Sequence, residues 1–596
     1  MLAPDSRVVL LEQLAPPPGS RFDAAIATTF TLDLTATLIP ALAFTSYSYS
    51  GSSADPIALL EALRATGDRL DVFCQGGNIA APSHVPDLLA FLEPLVHEVK
   101  RPRGGLFHPK IWFVRYVDDA GQASYRLLVL TRNLTNDRSW DLAVRLDSAS
   151  LGDREQDANA PLADLLASLP TWTIRELAPE RAERISQLAG EARRIEWQWP
   201  DTVRHLGFHF LGGNRPMPDL PPGRRLVVSP FINDAGLALL DPNGATTVLS
   251  RAAELERLSP GVAERLDAYV IDSMAVVTET DETNLGGDLH AKMFVVEPTA
   301  KWASAHVFIG SANATDAALQ RNVEFIVELH GHRDHLGIDS FLGETAPFRV
   351  LLEPYRATGG AALDPDEDER RKVENALREI AEIEHHVAVV DGDREASETE
   401  GHDVRVSARK PYPLCTGWRA SVRLMTKAGN SIVAAEGEAL AGTFSGIATA
   451  DLTPFLVVQI TTDSGLDVAC VIVAELIDPP ADRLDQILAR QIDTPDKFLR
   501  FLYLLLSLGN PHLLAQLAGS AEGDGQGFGI GQSGGPGILE LVLRALSERP
   551  AALGDLDRLV HRLQSTEKGR EVLPDGFDAF WATVREAQDM LGETWA

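Results

Sequence analysis

FHPKIWFV at residues 107–114 and LHAKMFVV at 289–296 are one phrase written twice: an apolar residue, His-x-Lys, then a run of strand-forming residues. The chain has 596 residues with nine lysines, 45 arginines and 15 histidines. Chance would yield about 0.2 His-x-Lys tripeptides in such a composition. The chain has two, His108-Pro-Lys110 and His290-Ala-Lys292. Residues two apart on a strand project from one face, so each pair is expected to aim an imidazole and an ammonium in the same direction.

The likeness spreads outward from these pairs. LLVLTRNLT at 127–135 matches VFIGSANAT at 307–315, and WDLAV at 140–144 matches VEFIV at 323–327. Upstream, ALAFTSYSYS at 41–50 is set against LVVSPFIND at 226–234, and LDVF at 70–73 against TTVLS at 246–250. His108 to His290 is 182 residues, Asn133 to Asn313 is 180, and Asp141 to Glu324 is 183. A near-constant offset over several elements indicates an internal copy. Short apolar runs alternate with the helical patterns Pro56–Arg69 and Ala252–Leu266. The fold class expected is α/β: two pseudo-symmetric halves, 1–195 and 196–358, each a mixed sheet flanked by helices.

Beyond 358 the character changes. Residues 361–400 carry fourteen acidic and five basic residues, with Val373, Ala376, Leu377, Ile380 and Ile383 at helical spacing. An acidic helical linker over 359–400 is expected, with His385-His386 as a solvated pair at its end. Runs such as VRVSA, ASVRLM and FLVVQIT between Gly, Asn and Asp turns predict a β-sandwich-like domain over 401–480. Residues 481–596 read as a helical domain, interrupted by the flexible glycine-rich stretch GSAEGDGQGFGIGQSGGPG at 519–537.

His-x-Lys followed by Gly-Ser-x-Asn, occurring twice, resembles the phospholipase D superfamily. The second copy matches with His290, Lys292, Gly310, Ser311 and Asn313, then Asn322 and Glu324 in the trailing Asn-x-Glu element. The first copy keeps His108, Lys110 and Asn133, has Thr131 for the serine, Leu130 for the glycine, and Arg115 where an Asp is usual. That loss and the phrase TRNLT are similar to the tyrosyl-DNA phosphodiesterase branch. The resemblance covers about 25–355. It implies two facing phospholipase D-like halves, His108 as nucleophile and His290 as acid, with a covalent phosphohistidine between two steps. The appended regions resemble accessory parts of bacterial restriction or phage-defence effectors.

The residue types suit phosphodiester chemistry on their own account. Attack at phosphorus needs an unprotonated nucleophile, a proton donor for the leaving oxygen, and positive charge on the equatorial oxygens. Lys110, Lys292, Asn133, Asn313, Ser311 and Thr131 are expected as donors to the non-bridging oxygens. Glu324 and Asp141 are expected to orient one imidazole each. No metal or cofactor is required, because the lysines do the electrostatic work. His205 and His209 lack further ligands at metal spacing, and Glu297 is expected to be structural.

The net charge of −31 argues against a surface that coats nucleic acid or anionic lipid throughout. Residues 100–145 carry nine Lys/Arg against four Asp/Glu, and Lys100, Arg101 and Arg103 lie just before His108, so one basic cleft is expected. The acidic linker is a candidate cover for it. Three scattered cysteines, no apolar run of membrane-spanning length and no signal-peptide pattern fit a cytoplasmic protein. The expected function is metal-independent DNA cleavage, with nucleic acid as partner and no membrane insertion. Lipid-headgroup hydrolysis or transfer and a non-catalytic phosphate-binding scaffold stay open. The C-terminal regions are candidates for self-assembly or a protein partner.

Overall fold

The computed structural model describes residues 10–44, 62–83, 87–136, 139–241, 246–272, 288–299, 304–390, 401–507, 541–543, 550–565, 567–574 and 576–591. The first half contributes strands β1 (Ser20–Thr29), β2 (Leu70–Gln75), β3 (Ile79–Ala80), β4 (Val96–Val99), β5 (Ile111–Asp118), β6 (Ala123–Leu130), β7 (Ser139–Trp140), β8 (Ala143–Leu151) and β9 (Ile195–Trp197). The second contributes β10 (Val203–Leu211), β11 (Gly223–Val228), β12 (Thr246–Leu249), β13 (Asp267–Ile271), β14 (Asp288–Leu289), β15 (Met293–Pro298), β16 (Ser304–Gly310), β17 (Glu324–His332) and β18 (Leu352–Tyr355).

One sheet runs β4-β2-β1-β5-β6-β8-β9 and the other β10-β17-β16-β15-β11-β12-β13-β18. From the parallel edge inward, β4-β2-β1-β5-β6-β8 corresponds to β13-β12-β11-β15-β16-β17. The first three strands of each are parallel and the rest antiparallel. The parallel strands are apolar throughout because both faces are covered; β2, LDVFCQ, is buried at every residue. Phe73, Phe113 and Leu127 of the first sheet share a core with Val295, Phe325 and Val327 of the second. Leu162, Leu166, Ile185 and Leu188, from helices Ala160–Trp172 and Pro179–Ala192, close it. The expected α/β duplication is therefore present, strand for strand.

The copy starts earlier than the sequence suggests. Residues 42–44 end a helix, Leu34–Phe44, and 45–50 lie outside the described residues. The element equivalent to LVVSPFIND is β1 with its exit, TTFTLD at 28–33. Thr29 Oγ1 donates to the Thr31 carbonyl and accepts from the Leu134 N–H; Ser229 Oγ does the same with Phe231 and Ala314. Asp33 and Asn233 then cap the following helices by accepting from Thr35 and Gly236 N–H groups. An apolar run breaking into small polar residues marks a strand exit and a helix end alike, which is why the two were confused. Ala252–Leu266 is two short helices, Ala252–Glu256 and Pro260–Ala263, because Pro260 can start a helix but not continue one. Of Pro56–Arg69 only the part from 62 is described, and it is helical over 62–66.

The acidic stretch forms helix Pro365–Ala381, capped by Asp364 and burying Val373, Ala376, Leu377 and Ile380. It is not a helical linker to residue 400. His385–Val390 is strand β19, paired antiparallel with β20 (His402–Pro411). The other strands here are β21 (Arg419–Leu424), β22 (Ile432–Val433), β23 (Ala439–Ile447), β24 (Phe455–Thr461), β25 (Asp467–Val473) and β26 (Glu475–Ile477). Two sheets result, β23-β20-β19-β26 and β22-β21-β24-β25-β3. The second takes its edge strand from the first half: Ile79 and Ala80 pair with Val471 and Cys470. His385 is not solvated. It is buried, with Nε2 on the Tyr412 hydroxyl at 2.9 Å, and burial pushes its pKa down to about 4.

Helices Arg483–Gln491, Pro495–Ser507, Pro550–Gln564 and Phe577–Leu591 share one apolar core with the first half, where Phe22, Val72 and Trp112 join Ile487, Phe501, Leu556 and Trp581. Arg483 makes a bidentate pair with Glu93 at 2.6 and 2.8 Å across this junction. The glycine-rich stretch 519–537 lies outside the described residues. At the parallel edge of the first sheet, the wholly buried Asp71 accepts from Arg181, Arg184 and His97 at 2.7–2.9 Å.

Candidate functional site

Each His-x-Lys lies in an extended segment just before its strand, β5 or β15, rather than within it. The imidazole and ammonium are brought together by a different device. Lys110 Nζ folds back to donate to the His108 carbonyl at 2.9 Å, and Lys292 Nζ does the same to His290 at 2.8 Å. The main chain of each histidine is held by the opposite half. His108 N–H donates to the Val323 carbonyl at 2.9 Å, and His290 N–H to the Trp140 carbonyl at 2.8 Å. Val323 precedes Glu324 and Trp140 precedes Asp141. Backbone pairing thus makes the two acids equivalent in position, and the arrangement is crossed, each histidine's main chain being held by the residue before the other half's acid.

On one side the crossing is completed by side chains. Glu324 Oε2, wholly buried, lies 2.9 Å from His108 Nδ1 and accepts from Ser311 Oγ at 2.5 Å. Burial raises the Glu324 pKa, but His108, Lys110 and Ser311 outweigh it and the net shift is downward. Burial, reinforced by Lys110 and Lys292 and opposed by Glu324, lowers His108 to about 4. At neutral pH the pair is an ionised carboxylate and a neutral imidazole. Nδ1–H then donates to Glu324, and Nε2 carries the lone pair.

The lysines sit under strain of another kind. Lys110 and Lys292 are 2% and 3% exposed, and each lowers the pKa of His108. Burial, then Lys292, pulls Lys110 well down; burial, with Arg251 adding to it, brings Lys292 to about 7. Lys292 Nζ also donates to the Thr131 carbonyl of the other half at 3.0 Å. Two buried lysines, the charge of one disfavouring the charge of the other, suit a site that receives an anion. The carboxamide oxygens of Asn133 and Asn313 are buried without a hydrogen-bond partner among the described contacts.

Ser311 and Thr131 are not placed to touch a ligand. Both are wholly buried, and their hydroxyls are spent on positioning. Ser311 Oγ holds Glu324 and accepts from Phe325 N–H, while Thr131 Oγ1 accepts from Leu142 N–H. Asp141 pairs with Arg132 at 3.6 Å and acts on Lys292 through its charge. Arg103 occupies a turn at φ 54°, its guanidinium against Gly213 and Nη1 2.6 Å from where a Cβ there would stand; no described contact carries it to the imidazoles. Arg101 is not part of an open basic cleft, because Glu382 and Glu379 of the acidic segment pair with it at 2.8 and 3.6 Å.

Several neighbours lay outside the motif. The Phe30 ring meets His108 edge-on at 5.0 Å, with Arg378 of the acidic helix 5.5 Å from its centroid. Gln75 Oε1 accepts from the N–H of Phe107, just before His108, at 2.8 Å. The signal for Phe30 was the equivalence of TTFTLD at 28–33 with VSPFIN at 228–233. Glu297 is structural, accepting from Ile338 N–H. His209 and His306 flank Glu328, 2.8 and 2.7 Å from its carboxylate, and among the described residues no group of three or more His, Cys, Asp or Glu is arranged to hold a metal.

No family model matches the chain, and no curated protein does. Among solved structures it is similar to yeast tyrosyl-DNA phosphodiesterase, at 14% identity and a TM-score of 0.33 over 55% of this chain and 86% of that one. It is also similar to phosphatidylserine synthase from Haemophilus influenzae, at 11% identity and a TM-score of 0.31 over 62% and 90%. Among the described residues no helix is long and apolar enough to cross a membrane.

Proposed function

We propose that the chain is a phosphodiesterase that cleaves DNA through a phosphohistidine on His108. The observation that carries this reading is the crossed contact of Glu324 with His108 Nδ1 beside two buried lysines, Lys110 and Lys292. His108 Nε2 attacks phosphorus, a P–N bond forms, and the P–O bond to the leaving group breaks. His290 gives its proton to the departing oxygen. His290 then takes a proton from water, whose oxygen attacks phosphorus and breaks the P–N bond, so His108 leaves neutral. Lys110, Lys292, Asn133 and Asn313 hold the non-bridging oxygens, and charge gathering there lets the lysines regain their protons. Glu324 fixes the nucleophile's tautomer, and Asp141, which follows the residue holding His290 N–H, is assigned the same task for His290. The sandwich and helices suit a partner-engaging part of a restriction or phage-defence effector.

The test is cleavage of DNA in EDTA with a denaturing quench. Expected are chelator-resistant cutting and an acid-labile, alkali-stable phosphate on the protein, both lost in His108→Ala. Chelator-sensitive cutting, or cutting that survives His108→Ala and His290→Ala, would overturn the proposal. DNA binding without either signal would support the scaffold instead.

A further inference from the structure

Three side chains converge on the half-buried ring of Phe30. The His108 imidazole lies 5.0 Å away at an interplanar angle of 60°, Lys110 Nζ is 5.9 Å from the ring centroid, and the Arg378 guanidinium carbon is 5.5 Å from it. The main chain on either side of the ring is pinned. Thr29 Oγ1 accepts from Leu134 N–H at 3.0 Å, and Leu32 N–H donates to the Asn78 carbonyl at 3.0 Å. Phe30 is thus part of a fixed wall beside the reacting pair.

Arg378 comes from helix Pro365–Ala381, outside both halves of the duplication, and is buried. Its arms are all held: Nε donates to Asn78 Oδ1 at 2.8 Å, Nη1 to Asn375 Oδ1 at 2.8 Å, and Nη2 to Glu374 at 3.3 Å. Asn78 therefore ties the cation with its side chain and the Phe30 segment with its carbonyl. The helix backbone comes so near that a Cβ on Gly77, at φ 75°, would stand 2.8 Å from Arg378 Cα. An aromatic face attracts a cation, more strongly where water is excluded, so a guanidinium fixed in this way holds the ring in turn.

We infer that Phe30 and Arg378 are positioning residues for His108: Phe30 is a second stop against the imidazole, and Arg378 braces Phe30. Glu324 alone leaves slack, because a hydrogen bond tolerates about 30° of misalignment. A reacting group must be held within about 10–20° of its productive direction. The inference rests on the phosphodiesterase reading above and deepens it, since aim matters most for the atom that attacks phosphorus. The pairing of Thr29 with Ser229 sets Pro230 at the equivalent place in the second half, and Pro230 has no aromatic ring to offer. A helix beyond the duplication thereby takes a share in the chemistry of its first half.

The experiment follows phosphohistidine formation in single turnovers of the full chain with bis(4-nitrophenyl) phosphate, with the half-saturating concentration and the urea midpoint of every variant. Phe30→Leu should slow phosphorylation about a hundredfold and move half-saturation by less than about twofold. Arg378→Met should slow it about tenfold, and Arg378→Lys, which keeps the cation, should recover most of that loss. Because Arg378 acts through Phe30, the double variant should be no slower than Phe30→Leu alone. Losses that multiply in the double variant, or that track half-saturation or the urea midpoint instead of the phosphorylation rate, would overturn the assignment. Should Arg378→Met fail to fold, Phe30→Leu against Phe30→Tyr, which keeps the ring, decides, and equal losses in those two overturn it. The unmodified chain separates the two failures. If it forms phosphohistidine and the variants are as fast, the brace alone is wrong; if it forms none, the reading beneath falls as well.

Discussion

Filling the space between Lys110 and Lys292 with a dianion should draw protons out of solution. Lys292 is held at about 7, so at pH 8 roughly nine-tenths of it is uncharged in the free protein. Sulfate has no proton to release near neutrality, and its charge restores the lysine to an ordinary pKa. Binding at pH 8 should then take up roughly 0.9 proton through Lys292, and up to about twice that if Lys110, also lowered, titrates with it. At pH 6 the ammonium is already roughly nine-tenths formed, and its uptake falls to about 0.1. Calorimetric titration in Hepes and in Tris reads the number directly as the slope of observed enthalpy on buffer ionisation enthalpy. Lys292→Met should remove its share. Zero slope at pH 8, or a slope undiminished in Lys292→Met, would refute this account of the buried ammoniums. The same sign governs turnover: raising pH through about 7 strips charge from the free site, so kcat/KM declines there.

Glu324→Gln should lower kcat by about a thousandfold with folding intact, since the carboxamide no longer favours one His108 tautomer; single-turnover phosphohistidine formation measures it. Gly310→Ala sets a Cβ 2.2 Å from the Phe325 carbonyl oxygen, against the turn that carries Ser311. It should cost about 1–3 kcal/mol in urea unfolding and loosen Glu324. Asp71 has a folded pKa of about 2, because its bonds to His97, Arg181 and Arg184 overcome burial, against an unperturbed 3.8. A depressed carboxylate stabilises above its unfolded pKa, and the gain disappears as pH falls through about 2. Asp71→Asn should therefore flatten the pH dependence of the unfolding midpoint between those values, and at neutral pH cost about 3–5 kcal/mol by leaving buried cations unmatched.

The fold was legible wherever chemistry held the copies in register. His-x-Lys, the asparagines and the trailing acids keep offsets of 180–183 residues, and the strands follow them. The start of the copy was hidden because Thr29 to Ser229 and Asp33 to Asn233 are offset by 200. The first half spends eighteen more residues between its capped helix and its histidine, and a search for constant spacing passes over that. The site was legible in composition but not in partnership. Nothing in the order of residues says that Glu324 would serve the histidine of the other half, because the crossing is made by backbone pairing of His108 with Val323. Nor can spacing separate a hydroxyl that touches ligand from one buried under it, as Ser311 and Thr131 are. His385 looked solvated beside so many acids, but Tyr412 and the sheet enclose it, and only tertiary packing could say so.

The edge strand Ile79–Ala80 has an evolutionary corollary. A module that ends its own sheet can be cut out and spliced onto a new gene. This one cannot, for its outermost row of hydrogen bonds is supplied by a passage encoded near the front. Recombination anywhere between the two His-x-Lys segments and the sandwich would leave a bare β-edge on one descendant and a stranded dipeptide on the other. The rear of the protein must be inherited together with the front, and lineages should gain or lose the two as a single block.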